Sequence, residues 1–205
     1  METPIFGPDS WAYGVLAVIL VQASICDVRT GMIYNRITYP AIFIGLASHW
    51  LAGGWAGEHV PGGTCTMGLL DAMVGFAAGF LPLFVVWLAG GIGGGDAKIM
   101  GAVGALTGWR FALTAMFYGF AVAVLMAVVI MLRRRIAMKT LGRIWQFLWL
   151  SVLRAKPGAP DGPDSVKLPF GLALCIGTVG VMVAVVVMRY YGVEGPMERL
   201  FFLSF

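Results

Sequence analysis

The stretch Gly90-Gly-Ile-Gly-Gly-Gly-Asp96-Ala-Lys98 follows a long apolar run and ends in a carboxylate and an ammonium. Five of its first six residues are glycine, which lets the backbone turn tightly and come close to another segment. An ionisable residue at membrane depth marks a functional-site hypothesis, and its partner has to be found. Whether Asp96 lies at such a depth depends on what surrounds it.

The surroundings are those of a membrane protein. The chain has 205 residues, 60% hydrophobic and 12% charged, with a mean hydropathy of +0.87. A soluble domain carries about a quarter charged residues. Several runs approach the ~20 apolar residues that cross a bilayer. The net charge of +4 is small and unevenly spread, so it reads as topology and not as nucleic-acid binding. Cys26, Cys65 and Cys175 are far apart, and His49 and His59 lack ligand-like companions, so neither a metal site nor a cofactor is expected. The N-terminus carries Glu2 and Asp9 without a basic residue, so no cleavable signal is expected and the first apolar run reads as a span.

Working outward from the glycine stretch, the span before it covers about Leu69 to Ala89. After it, Ala97 to Leu106 predicts a short helix whose Ala97, Gly101 and Ala105 form a small-residue face for close packing. Its rise of ~15 Å is too short for a full crossing. Further out, spans are predicted from Ile5 or Trp11 to Cys26, with Trp11 and Tyr13 as interface anchors, and from Ile37 to Leu51, with Pro40 in its first turn. Two more run from Phe111 to Leu132 and from Leu168 to Met188. Asp27 to Arg36 reads as a polar turn, and Gly53 to Gly68 as a glycine-rich loop. The fold class expected is all-α: one polytopic bundle over residues 1–205, with about six transmembrane helices, one of them short. A basic cytoplasmic loop at 133–167 interrupts it. Within that loop the aromatic run Ile144–Leu153 predicts a helix lying along the interface.

Basic residues orient the bundle. With the N-terminus outside, the inner loops hold eleven of them, Arg29, Arg36, Lys98 and eight between Arg133 and Lys167, against three outside, Arg110, Arg189 and Arg199. Two crossings separate Asp27 from Asp96, so both acids fall on the cytoplasmic side. Two carboxylates meeting in a low-dielectric pocket do not both ionise cheaply, and a pair sharing one proton can activate water against a peptide bond. Simpler readings exist beside this one. Asp96 at a helix start can be an N-cap, Asp27 can pair with Arg29 at the surface, and Asp71 reads as a cap at the opposite face.

At these residues a resemblance enters. Gly93-Gly-Gly-Asp-Ala-Lys98 resembles the Gly-x-Gly-Asp-x-Lys motif of the type IV prepilin peptidases, Asp27-x5-Ile33-Tyr34-Asn35 resembles their Asp followed by Ile-Pro-Asn, and Lys167-Leu-Pro-Phe-Gly171 resembles the Pro-Phe/Tyr-Gly that opens their last span. The matches fall in the family's order and cover residues of about 10 to 188. Tyr34 departs from the family's proline. Longer members carry a zinc-binding domain and methylate the new N-terminus; without those paired cysteines, this chain is similar to the short peptidases of tight-adherence (Flp) pili. The resemblance implies an inner-membrane aspartic endopeptidase. It would remove the basic leader of a prepilin at the cytoplasmic face, with Asp27 and Asp96 catalytic and no cofactor or metal. Gly93, Gly95, Lys98, Asn35 and Arg29 are lesser candidates for motif or substrate-positioning roles, and prepilin and lipid are the expected partners. Two rivals remain: a presenilin-like protease, which needs more spans, and a small channel, transporter or scaffold using the acids as a proton or ion site, which would be expected to show inverted repeats.

Overall fold

The computed structural model describes residues 10–57, 59–60, 64–65, 67–134, 142 and 169–191. Among them are six helices: α1 (Ser10–Thr30), α2 (Asn35–Gly53), α3 (Leu69–Leu88), α4 (Gly94–Thr107), α5 (Trp109–Arg133) and α6 (Phe170–Tyr190). The α2–α3 connection holds one short antiparallel pairing, β1 (His59–Val60) with β2 (Thr64–Cys65), in which His59 faces Cys65. Four helices, α1, α3, α5 and α6, are long and apolar enough to cross a membrane. The protein is a polytopic helical membrane protein. α2 is less apolar because it carries Arg36, Ser48 and His49, and α4, with 14 residues, rises only about 21 Å.

The chain divides into two compact units, Met1–Val122 with Pro169–Phe205, and Ala123–Leu168. In the second, the described part is chiefly the C-terminal half of α5, an apolar helix that runs to Arg133. The interfacial helix expected at 144–153 lies outside the described residues, as does nearly all of the basic loop.

The first unit is arranged around α4. From Asp96 to Leu106 every residue of α4 except Lys98 is buried. That is possible because α4 is built of small residues that its neighbours can touch backbone to backbone. A Cβ on Gly75 or Gly104 would fall on the backbone of the facing helix, and one on Gly79 would fall on the Met100 carbonyl, so α3 lies directly against α4. On another side Gly45 of α2 approaches Ala105, with room for a Cβ only 3.0 Å from the Ala105 backbone. The predicted face of Ala97, Gly101 and Ala105 is buried as expected, although the closest approach is made by Gly104. In the same way α5 meets α6 where Gly119 faces Gly177.

Three boundaries differ from the sequence reading. α1 continues through Asp27 to Thr30, so Asp27 belongs to a helix and not to a turn. Hydropathy falls at Asp27, but the backbone holds helical geometry until Gly31 takes φ 65°, where a side chain would be strained. α4 begins at Gly94, which makes the last two glycines of the run part of its first turn. Pro40 is the sixth residue of α2, inside the helix and beyond its first turn.

Candidate active site

Three helix ends converge at one point. α1 brings Asp27 in its last turn, α4 brings Asp96 in its first turn, and α6 begins there at Phe170. Asp27 and Asp96 are each 7% exposed, so both carboxyl groups are inside the protein. The position a Cβ would take on Gly171 lies 2.8 Å from Asp96 Oδ1 and 3.0 Å from Asp27 Oδ2. The two oxygens are therefore no farther apart than those two reaches laid end to end. The acids, 69 residues apart in the chain, form a pair.

Each acid is held by a helix N-terminus. Asp27 Oδ2 accepts the backbone N–H of Leu172 at 2.8 Å, in the first turn of α6. This N–H is one of the donors that a helix start leaves without an internal partner. Asp96 is the third residue of α4 and accepts the backbone N–H of Gly93, the N-cap residue. In return its own N–H donates to the Gly93 carbonyl at 3.2 Å. Asp96 thus supplies the N3 half of a capping box, while Gly93, not Asp96, is the N-cap and answers with its backbone carbonyl. Both helix starts present positive dipole ends to the pair. Arg29 lies exposed on the same turn of α1, and among the described residues no ion pair joins it to Asp27, so the surface pairing considered from sequence is not seen.

The glycines of the motif have a steric reason. A Cβ on Gly95 would sit 2.9 Å from Ile33 Cβ and 3.1 Å from its carbonyl, so glycine there lets the α1–α2 loop lie on α4. A Cβ on Gly93 would crowd Asp96 Oδ2 at 3.1 Å. Tyr34, standing where the resemblance expects proline, is the N-cap of α2 with φ −75° and ψ 141°. That φ is close to the value proline fixes, so the turn keeps its shape without the ring.

Lys98 and Asn35 are brought together, although not onto the acids. The Lys98 ammonium donates to Asn35 Oδ1 at 2.8 Å and to the Tyr39 hydroxyl at 3.3 Å, and lies 5.0 Å from the centre of the Tyr39 ring. In a helix, residues 96 and 98 point to nearly opposite sides. Lys98 thus ties α4 to the start of α2 and does not orient Asp96. Asp71 is exposed in the first turn of α3, where Gly68 is the N-cap and no side chain caps the helix. It adds a charge near the helix start, but it is not the cap expected from sequence.

Sequence reasoning quotes Ile33 and Gly171 as motif letters without giving them a role at the site, and it does not name the Leu172 N–H. A glycine directly after the Pro-Phe of a helix start signals close approach, so Gly171 could have been read as contacting something. What it contacts could not.

Fold and site together define a polytopic membrane protein with a buried aspartate pair at the junction of three helix ends. The chain matches the model of the type IV leader peptidase family over residues 14–130, more than half its length, and it belongs to that family. Over 116 residues it is 33% identical to proteins named prepilin leader peptidase/N-methyltransferase from Burkholderia pseudomallei strains 1026b and K96243. The aligned part covers 52% of this chain and 33% of each relative, so the chain spans about a third of the length of the curated relatives it matches. No solved structure matches the chain.

Proposed function

We propose that this protein is an intramembrane aspartic endopeptidase that removes the short basic leader of a type IV or Flp prepilin at the cytoplasmic face of the inner membrane. The observation that carries the reading is the convergence of Asp27 Oδ2 and Asp96 Oδ1 on the space left by Gly171. Two carboxylates this close, in a pocket closed to solvent, hold one proton between them. The ionised member takes a proton from a water molecule as it attacks the peptide carbonyl. The protonated member supplies a proton to the departing amine. The pair needs no metal, serine or cysteine for these steps. The reading concerns cleavage alone.

In this proposal the N-terminus lies outside, so the acids, Arg29, Arg36 and Lys98 face the cytoplasm, where a leader of free polypeptide is accessible. Gly93 and Gly95 serve by letting the backbone approach, and the substrate's apolar helix lies against the bundle in the bilayer.

The test is a cleavage assay with the purified full chain in detergent and a synthetic single-span prepilin, read by a gel shift. Asp27→Asn and Asp96→Asn each abolish product while the melting temperature of the protein stays near that of the parent. Normal cleavage by either variant refutes the paired-acid assignment, and no cleavage by the parent against a panel of prepilins refutes the substrate class.

A further inference from the structure

The short loop between α1 and α2, residues 31–34, brings a single side chain to the point where the two acids meet. Met32 and Tyr34 are exposed at 62% and 47%, while Ile33 is 9% exposed. Ile33 Cδ1 lies 2.9 Å from the Gly171 Cβ position, the same point that both carboxylate oxygens approach. Its Cβ is 2.9 Å from the corresponding point on Gly95. Ile33 is thus wedged between the first turns of α4 and α6, beside the two acids.

What holds the loop there is limited. Its hydrogen bonds are local: Gly31 N–H to the Asp27 carbonyl at 2.8 Å, the Thr30 hydroxyl to the Met32 carbonyl at 3.1 Å, and Ile37 N–H to the Tyr34 carbonyl at 3.0 Å. None of these ties the loop to α4 or α6. The ties across to the site are the Ile33 side chain and the Lys98 ammonium, which grips Asn35 and Tyr39 just beyond the loop. At the upstream end Gly31 sits at φ 65°, a position that absorbs backbone rotation easily. Both acids are only 7% exposed, so a peptide bond reaches them only if a neighbouring segment moves.

We propose that residues 31–34 form a gate over the acid pair, with Ile33 as its plug, Gly31 as its hinge and the Lys98–Asn35 hydrogen bond as its latch. The gate admits an extended segment of polypeptide, and in that respect it rests on the peptidase reading. Closed, it keeps the pair dry; open, it uncovers the two carboxyl groups.

Cys175 supplies a reporter that requires no catalysis. It lies on the same face of α6 as Gly171, one turn deeper. It is buried, at 3% exposed. In the full chain with Cys26→Ser and Cys65→Ser, the rate at which a small methanethiosulfonate modifies Cys175 is followed by mass spectrometry in detergent. The parent reacts slowly. Ile33→Ala, which removes the plug, and Asn35→Ala, which removes the latch, each react several-fold faster. Ile33→Val reacts like the parent. Leu106→Ala, which makes a cavity at the far end of α4, also reacts like the parent. An unchanged rate in both Ile33→Ala and Asn35→Ala overturns the gate, and so does an equal rise in Leu106→Ala, which would mean general loosening. Because labelling is independent of turnover, a failed gate leaves the cleavage assay untouched. A failed Asp27→Asn or Asp96→Asn result in turn leaves the labelling result standing.

Discussion

α3 and α4 begin in the same way and end up in different surroundings. Each has a glycine N-cap with extended backbone, Gly68 in one and Gly93 in the other, and each has aspartate as its third residue. Asp71 is exposed, whereas Asp96 is 7% exposed and paired with a second acid. The local start does not account for this. The bodies of the helices do: α4 continues with Ala97, Gly101, Gly104 and Ala105, small enough to be enclosed by neighbours, while α3 turns Leu70, Met73 and Val74 outward. A carboxylate at a helix start is taken out of solvent when its helix is one that others can surround.

The largest expected effect breaks that comparison at the acids themselves. Asp96→Asn and Asp27→Asn each lower cleavage by about 10³-fold or more, the scale on which positioned acid–base groups act. Asp71→Asn, a chemically identical change at the equivalent position of α3, leaves the cleavage rate unchanged in the same gel assay. A loss at Asp71 comparable to that at Asp96 would show that helix-start charge, and not pairing, is what matters.

Next in size is a pair of glycines on one helix. Gly171→Ala inserts a methyl group 2.8 Å and 3.0 Å from the two carboxylate oxygens and 2.9 Å from Ile33. It forces them apart, and cleavage falls by about 10²-fold, the order that a misplacement near 1 Å costs. Gly180→Ala, two and a half turns further along α6, meets nothing within 4 Å. There the added methyl removes unfolded-chain freedom and raises stability by up to about 1 kcal/mol with cleavage intact. Equal activity in the two variants would refute the steric account of Gly171.

Much of this was legible in the sequence, and the reasons for the rest are physical. Long apolar runs announce helices because a bilayer leaves the backbone no other satisfaction, so α3, α5 and α6 start and stop close to where composition changes. The same-side placement of Asp27 and Asp96 follows from an out-and-back crossing. The end of α1 was missed because apolar content stops at Cys26 while helical geometry stops at Gly31. The third element of the site was invisible for another reason. The bond from Leu172 to Asp27 joins residues 145 apart, and which helix start receives a carboxylate is decided by packing angles that no single stretch encodes. The partners of Lys98 were hidden likewise, since Asn35 and Tyr39 belong to a helix whose rotation about its axis is set by Gly45 and His49 against α4.

The smallest effect concerns how α4 ends. α3 runs out into a backbone turn, with Gly90 at φ 77° and Gly91 N–H donating to the Val86 carbonyl at 3.0 Å. α4 ends inside the protein, and the carbonyl of Leu106 takes its bond from a side chain: His49 Nε2 of α2 lies 3.1 Å away, and the ring is 1% exposed. A carbonyl can only accept, so Nε2 carries the proton and the ring acts as a cap supplied from another helix. His49→Ala leaves that carbonyl buried without a donor, which costs about 1–3 kcal/mol, read as a lower midpoint of thermal unfolding in detergent. His49→Gln, whose amide can donate, recovers part of the loss. Cleavage below the melting transition stays close to that of the parent, because Asp96 stands at the opposite end of α4. If His49→Ala melts like the parent, the end of α4 finds its donors elsewhere, and enclosure of this helix depends on its small residues alone.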